Sequence, residues 1–276
     1  MKLPNFFIAG APKAGTTSLY HYLDQHPQIY MSPVKEPNYF ASEIRVQRFS
    51  EALQEKVRRD QHAMREYLSG PMSEKRFGAV GLEWGEYLRL FEQATDETAI
   101  GEASVCYLWS QSAARNIFEK VPNAKIVMIL RDPADRAFSQ YMHGVNKGVI
   151  RDSFRSYVDR DLRHGGECFD VMLPFLEMGR YAEQVRRYLD LFLRENIRIL
   201  FYEDYESDAG RAIRGLLEFL NVDPTVQIDL SEKHLVGRAA GLRMNPQDRT
   251  YLKEYYRHDI EDLAAMLGRD LTSWLQ

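Results

Sequence analysis

The chain has 276 residues, 45% hydrophobic and 28% charged, enough apolar residues for one large core. Its 36 Lys and Arg stand against 40 Asp and Glu, a net charge of −4. That gives no support to general nucleic-acid binding, while a local basic pocket remains compatible with it. Two cysteines, Cys106 and Cys168, lack metal or redox spacing and read as thiols of a reducing compartment. No apolar run has membrane-spanning length, and that in "MKLPNFFIAG" is too short for a signal peptide, so the expectation is a soluble, cytoplasmic protein.

"NFFIAG" (5–10) is an apolar run ended by glycine and predicts a buried parallel strand. Thr16 is expected to cap the next helix, which carries Leu19, Tyr20 and Leu23 on one face and stops at His26-Pro27. "QIYMSPVKEPNYF" is short, extended and broken by two prolines, a strand edge and loop. Residues 42–68 are charged and helical in pattern, without Gly or Pro, and suit an insertion or lid over the sheet. "GLEWGEYLRLF" is a short helix, "AIGEASVCYL" is β-like, and 112–119 is helical. "AKIVMILRDP" is the clearest buried strand; Asp132 then caps a helix whose first residue is Pro133. "RYAEQVRRYLDLF" is an amphipathic helix and "NIRILFYEDY" the last strand. Helical segments, a glycine-containing loop (234–245) and a terminal helix from Pro246 complete the chain. Strands alternating with helices predict a single α/β domain over 1–276, with a P-loop-like central parallel sheet and helices on both faces.

Two stretches carry the chemistry. In "AGAPKAGTTS" a strand, a Gly-rich turn and a helix start make an anion site, with backbone N–H groups and the helix dipole favouring negative charge. The spacing Gly10 to Gly15 is that of a phosphate-binding loop, and Thr16, Thr17 and Ser18 add hydroxyl donors. The lysine, however, is Lys13, inside the loop rather than directly after its last glycine. In "ILRDPADRAFSQY", Arg131 sits at the carboxyl end of a central strand and Ser139 on the second turn of the following helix. The pair suits a second phosphate; the competing reading is an Arg131 ion pair with Asp132 or Asp135.

"APKAGTTSL" together with "ILRDPADRAFS" resembles the two nucleotide-binding motifs of the sulfotransferases that use 3′-phosphoadenosine 5′-phosphosulfate (PAPS). The resemblance implies that Lys13, Ala14, Gly15, Thr16, Thr17 and Ser18 hold the 5′-phosphosulfate, and Arg131 and Ser139 the 3′-phosphate. It also implies that Lys13 stabilises the departing bridge oxygen. A sulfonate carries less charge than a phosphoryl group, so no metal is expected. "ILFYEDY" resembles the strand near the adenine, with Tyr202, and "HLVGRAAGLR" resembles, more weakly, a loop closing over the nucleotide, with Gly237 and Arg238. "KEPNYF" resembles the loop bearing the catalytic carboxylate in the heparan-sulfate-type and related bacterial branch, which makes Glu36 the general base. The competing reading is a surface Glu36 paired with Lys35. "GEASVCYL" resembles the acceptor-lining segment, with Glu102, Ser104 and Tyr107, and Glu102 is the second candidate for the base. Ala103 stands where that branch usually has a lysine, which speaks against a polyanionic, heparin-like acceptor.

His21 and His143 read as packing or surface residues. Trp84, Tyr87, Tyr107 and Trp109 read as core aromatics before pocket-lining ones. The implied activity is sulfonate transfer from PAPS, leaving PAP, to a hydroxyl or an amine of a small-molecule, carbohydrate or lipid acceptor. Two other readings remain: a P-loop kinase using ATP and Mg²⁺ with Asp132 as metal ligand, and a non-catalytic PAP-binding module. Neither oligomeric state nor acceptor identity follows from the sequence.

Overall fold

The computed structural model describes residues 2–164, 174–231 and 243–276. Five parallel strands form the central sheet: β1 (Phe6–Gly10), β2 (Ile29–Met31), β5 (Ala99–Ala103), β6 (Lys125–Leu130) and β7 (Ile197–Phe201). Their order is β2-β5-β1-β6-β7, so β1 lies between β5 and β6. A two-stranded parallel pair, β3 (Val34–Lys35) and β4 (Arg76–Phe77), stands beside the sheet.

Every residue of β1 and β5 is buried, as are the last five of β6. Successive side chains point to opposite faces, so this pattern means that both faces are covered. The apolar runs "FFIAG" and "IVMIL" therefore became central strands for the reason that made them legible. Gly101 is required by close approach: a Cβ there would meet the Phe6 ring at 2.3 Å.

The helices in chain order are α1 (Thr16–Leu23), α2 (Glu51–Ser69), α3 (Trp84–Arg89), α4 (Cys106–Trp109), α5 (Ala113–Lys120), α6 (Pro133–Asn146), α7 (Phe154–His164), α8 (Tyr181–Leu189), α9 (Tyr202–Ser207), α10 (Ala209–Leu220) and α11 (Pro246–Leu267). Four differ from the sequence expectations. The "YEDY" end of "NIRILFYEDY", expected as strand, is the start of α9, because β7 ends at Phe201. Gly15, not Thr16, is the N-cap of α1 and makes no side-chain cap bond; Thr16 is already helical. Its left-handed backbone (φ 93°) is readily adopted only by glycine. The "VCYL" part of "GEASVCYL" turns into α4 once β5 ends at Ala103. The helix expected over 42–68 starts only at Glu51, after a turn and a short 3-10 segment, and buries Val57, Met64 and Leu68. Asp132 caps α6 as expected, accepting from the N–H groups of Ala134 and Asp135, with Pro133 in the first turn. Among the described residues, no helix is long and apolar enough to cross a membrane.

Candidate active site

A cavity of about 800 Å³ opens at the carboxyl ends of β1 and β6, where open α/β sheets place their ligands. The β1–α1 turn forms one side. Lys13, Gly15, Thr16, Thr17 and Ser18 all line the cavity; Ala14 is fully buried and does not. The N–H groups in the first turn of α1 have no partner further back in the helix, which suits the turn to an anion. A Cβ on Gly15 would come within 3.3 Å of the Tyr205 ring and 3.6 Å of Tyr202, so the turn closes against α9.

Arg131, directly after β6, reaches back to this turn: its Nη1 donates to the Lys13 carbonyl at 3.0 Å. The guanidinium also lies 4.5 Å from the centre of the Tyr202 ring, the first residue of α9. Ser139, on α6, lines the same cavity. Arg249, not Arg131, is paired with Asp132 (3.7 Å) and Asp135. The rim pair considered for Arg131 is thus taken over by a residue of α11. Asp132 spends its carboxylate on the α6 cap and on Arg249 and does not line the cavity, so the metal-ligand role required by the kinase reading has no support in its position. Among the described residues, no group of three or more His, Cys, Asp or Glu could hold a metal ion. Gly237 and Arg238 lie outside the described residues.

The sequence reading missed two further groups. His143 and Lys147 stand one and two turns after Ser139 and line the cavity, which corrects the packing or surface role expected for His143. The spacing 139, 143, 147 was the available signal, because residues four apart share a helix face. Burial, with Lys13 and Lys147 nearby, pushes His143 down to about 4. Burial first, then Lys147, Arg131 and Lys35, lowers Lys13 to about 8. A lysine held among three other cations is poised for an anionic ligand that would relieve the repulsion.

Glu36 follows β3 and lines the cavity. It is 6% exposed, so the surface-loop reading does not hold, although its pairing with Lys35 does (2.5 Å). Its other carboxylate oxygen accepts from the Val105 N–H at 2.8 Å. The backbone is fixed by Glu36 N–H to the Ala103 carbonyl (2.8 Å) and by Ala79 N–H to the Glu36 carbonyl (2.9 Å). Two of the roughly four acceptor positions of the carboxylate are used, leaving others for a proton-bearing ligand. Among the described non-glycine residues, Lys13, Glu36, Asn38, Met72 and Asn221 have positive φ, and the first three line the cavity. Each left-handed residue costs roughly 1–2 kcal/mol, and such strain gathers at functional sites.

The structure does not bring Glu102, Ser104 and Tyr107 to the cavity. Glu102 and Ser104 are fully buried, as is Tyr107, and none lines it. They form a support beneath the Glu36 loop instead. Tyr107 and Tyr87 hydroxyls donate to one Glu102 oxygen (2.6 and 3.2 Å), the Ser104 hydroxyl donates to the other (2.8 Å), and the Asn38 N–H donates to Ser104 Oγ (3.1 Å). Trp84, Tyr87 and Trp109 likewise stay off the cavity, and Tyr87 stacks with Tyr39 and Trp84.

Burial raises Glu102 to about 7, against the hydrogen bonds from Tyr107, Ser104 and Tyr87; the nearby Glu36 charge adds to the rise. Its folded pKa exceeds the unfolded value, so the folded state holds the extra proton and stability falls as pH rises from about 4.5 towards 7. Glu102→Gln cannot ionise. Thermal melts from pH 5 to 8 are expected to show the melting temperature of the variant gaining on wild type by several degrees as pH rises. A constant difference across the range would contradict the assignment.

A model of the sulfotransferase family matches residues 4–225. The chain is 26% identical over 322 aligned residues to human carbohydrate sulfotransferase 15, covering 99% of this chain and 54% of that protein. It is 27% identical to human bifunctional heparan sulfate N-deacetylase/N-sulfotransferase 3, covering all of this chain and 31% of that protein. The chain thus spans about half the length, or less, of these curated relatives. A crystal structure of a sulfotransferase from Alicyclobacillus acidocaldarius superposes with a TM-score of 0.83 at 33% identity, with both chains covered completely. A mouse sulfotransferase solved with PAP shares the fold (TM-score 0.56, 12% identity, 94% and 86% covered). With this family match over most of its length and a fully covered structural relative at 33% identity, the chain belongs to the sulfotransferase family.

Proposed function

We propose that the protein transfers the sulfonate of PAPS to a hydroxyl of an acceptor, with Glu36 as general base and Lys13 at the leaving oxygen. The carrying observation is the Arg131–Lys13 link, which joins two cationic anchors in one cavity with the buried carboxylate of Glu36. The donor set fits PAPS. Lys13, Arg131 and Lys147 have no carboxylate partner among the described residues, and hydroxyls and helix-start N–H groups surround them. Backbone and cations neutralise the donor here, so the reading gives no role to a divalent metal. A cytoplasmic setting remains part of the reading.

PAPS supplies a sulfonate joined to a phosphate through one bridging oxygen. The acceptor hydroxyl attacks sulfur, its proton passes to Glu36, and the sulfur–bridge bond breaks. The electron pair of that bond stays on the phosphate, where Lys13 meets the new charge. Arg131 and Ser139 hold the 3′-phosphate, and Tyr202 supports Arg131 by cation–π contact.

Calorimetric titration of wild type and Arg131→Ala with PAP and AMP tests the reading without an acceptor. Each charge-assisted hydrogen bond is worth about 1.5–3 kcal/mol. Two imply a PAP preference of about 10²–10⁴-fold, which Arg131→Ala should collapse by weakening PAP far more than AMP. Equal wild-type affinity for PAP and AMP would sink the proposal.

In steady-state kinetics, Lys13→Ala is expected to lower kcat by about 10²-fold or more, much more than it weakens donor binding, and Glu36→Gln to lower kcat by about 10²-fold or more with PAP affinity kept. A rise in KM alone would refute these roles. With Lys13 at about 8 in the free protein, kcat/KM is expected to fall as pH rises through that value. Lys147→Met removes a nearby positive charge and should move this alkaline limb to higher pH; an unmoved limb would contradict the coupling.

A further inference from the structure

The cavity also has an apolar lining. Ile44, Val57, Phe77 and Val80 come from the α2 region, β4 and the segment after β4, while Phe138 and Met142 come from α6, beside Ser139. Phe77 is 65% exposed, a large apolar side chain left at the cavity mouth. Its ring lies 5.0 Å from Lys35 Nζ, and that ammonium is 2.5 Å from Glu36. The ring thus stands beside the carboxylate that would take the acceptor's proton. Helix α2 is pinned to this wall by Gln61, whose Nε2 donates to the Val80 carbonyl at 3.0 Å.

The charges point the same way. Lys35 is taken by Glu36, and Lys56 by Asp60 at 2.9 Å. Of the lysines and arginines lining the cavity, Lys13, Arg131 and Lys147 remain without a carboxylate partner among the described residues. PAPS carries about four negative charges, counting about two on its 3′-phosphate, so the donor alone uses all three cations. Among the described residues lining the cavity, this leaves no unpaired cation for an anionic acceptor.

We infer that the acceptor is an alcohol with an uncharged, apolar body, seated between Phe77 and the inner face of α2. The inference rests on the sulfotransferase reading above. It makes 42–69, together with Phe77 of β4, a specificity wall: Val57 and Phe77 take the apolar body, and Glu36 takes the hydroxyl proton.

The test uses PAP-loaded full-length protein. PAP affinity is measured first, followed by the dissociation constants of 1-butanol, 1-hexanol and 1-octanol and of an N-desulfated heparin hexasaccharide. Affinity is expected to rise about fourfold per methylene until the wall is covered. Phe77→Ala should weaken 1-octanol about tenfold while PAP affinity, which also reports the fold, stays at the wild-type value. A series flat with chain length, or a hexasaccharide bound more tightly than 1-octanol, overturns the inference with the sulfotransferase reading intact. Wild-type protein that fails to bind PAP removes that reading and the inference together.

Discussion

The hydrogen bond from the Arg131 guanidinium to the Lys13 carbonyl is the contact on which the site depends. It crosses from the end of β6 to the turn after β1, neighbours in the sheet. Lys13 has a left-handed backbone (φ 63°) that a side chain bearing a Cβ does not favour. An external donor on its carbonyl helps hold that conformation. Tyr202 lies against the other side of the arginine and, with Tyr205, closes on Gly15. One guanidinium thus fixes the turn while keeping donors for a ligand, because a planar fork with five N–H groups has more than one contact spends.

The same closeness creates repulsion. Lys13, Arg131, Lys147 and Lys35 crowd a partly desolvated space; burial first, then the other three cations, lowers Lys13 to about 8. The protein contains the problem by matching charges elsewhere around the cavity. Lys35 is neutralised by Glu36, Lys56 by Asp60, and Asp132 and Asp135 by Arg249. The uncompensated cations gather where a polyanionic nucleotide would lie, and the apolar wall begins beyond them.

Two buried carboxylates do different work because their surroundings differ. Glu36 keeps cavity access, a lysine at 2.5 Å and a backbone N–H. Glu102, one layer deeper, has no cation paired with it among the described residues and is raised to about 7 by burial. Its hydrogen bonds with Tyr107, Tyr87 and Ser104 steady the segment under Asn38 and Glu36. In the sequence the two glutamates look alike, each in a short stretch at the end of an extended run. Only depth separates them, and depth depends on how β5 lies beneath the loop after β3.

The sequence by itself determined the elements whose signals are local. "FFIAG" and "IVMIL" are short continuous apolar runs, the pattern of strands covered on both faces. Asp132-Pro133 set the start of α6 through an oxygen two or three residues from its donors, and the loop residues Lys13 to Ser18 lie adjacent in the chain. The tertiary structure decided what depends on pairs far apart. Arg249, more than a hundred residues away, claimed Asp132 and Asp135 and left Arg131 free to tie down Lys13. The late start of α2 put Lys56, Val57, Asp60 and Gln61 on the cavity, and the turn of α6 brought in His143 and Lys147. Periodicity can say which residues share a helix face, but which surface that face meets is fixed only by packing across the whole chain.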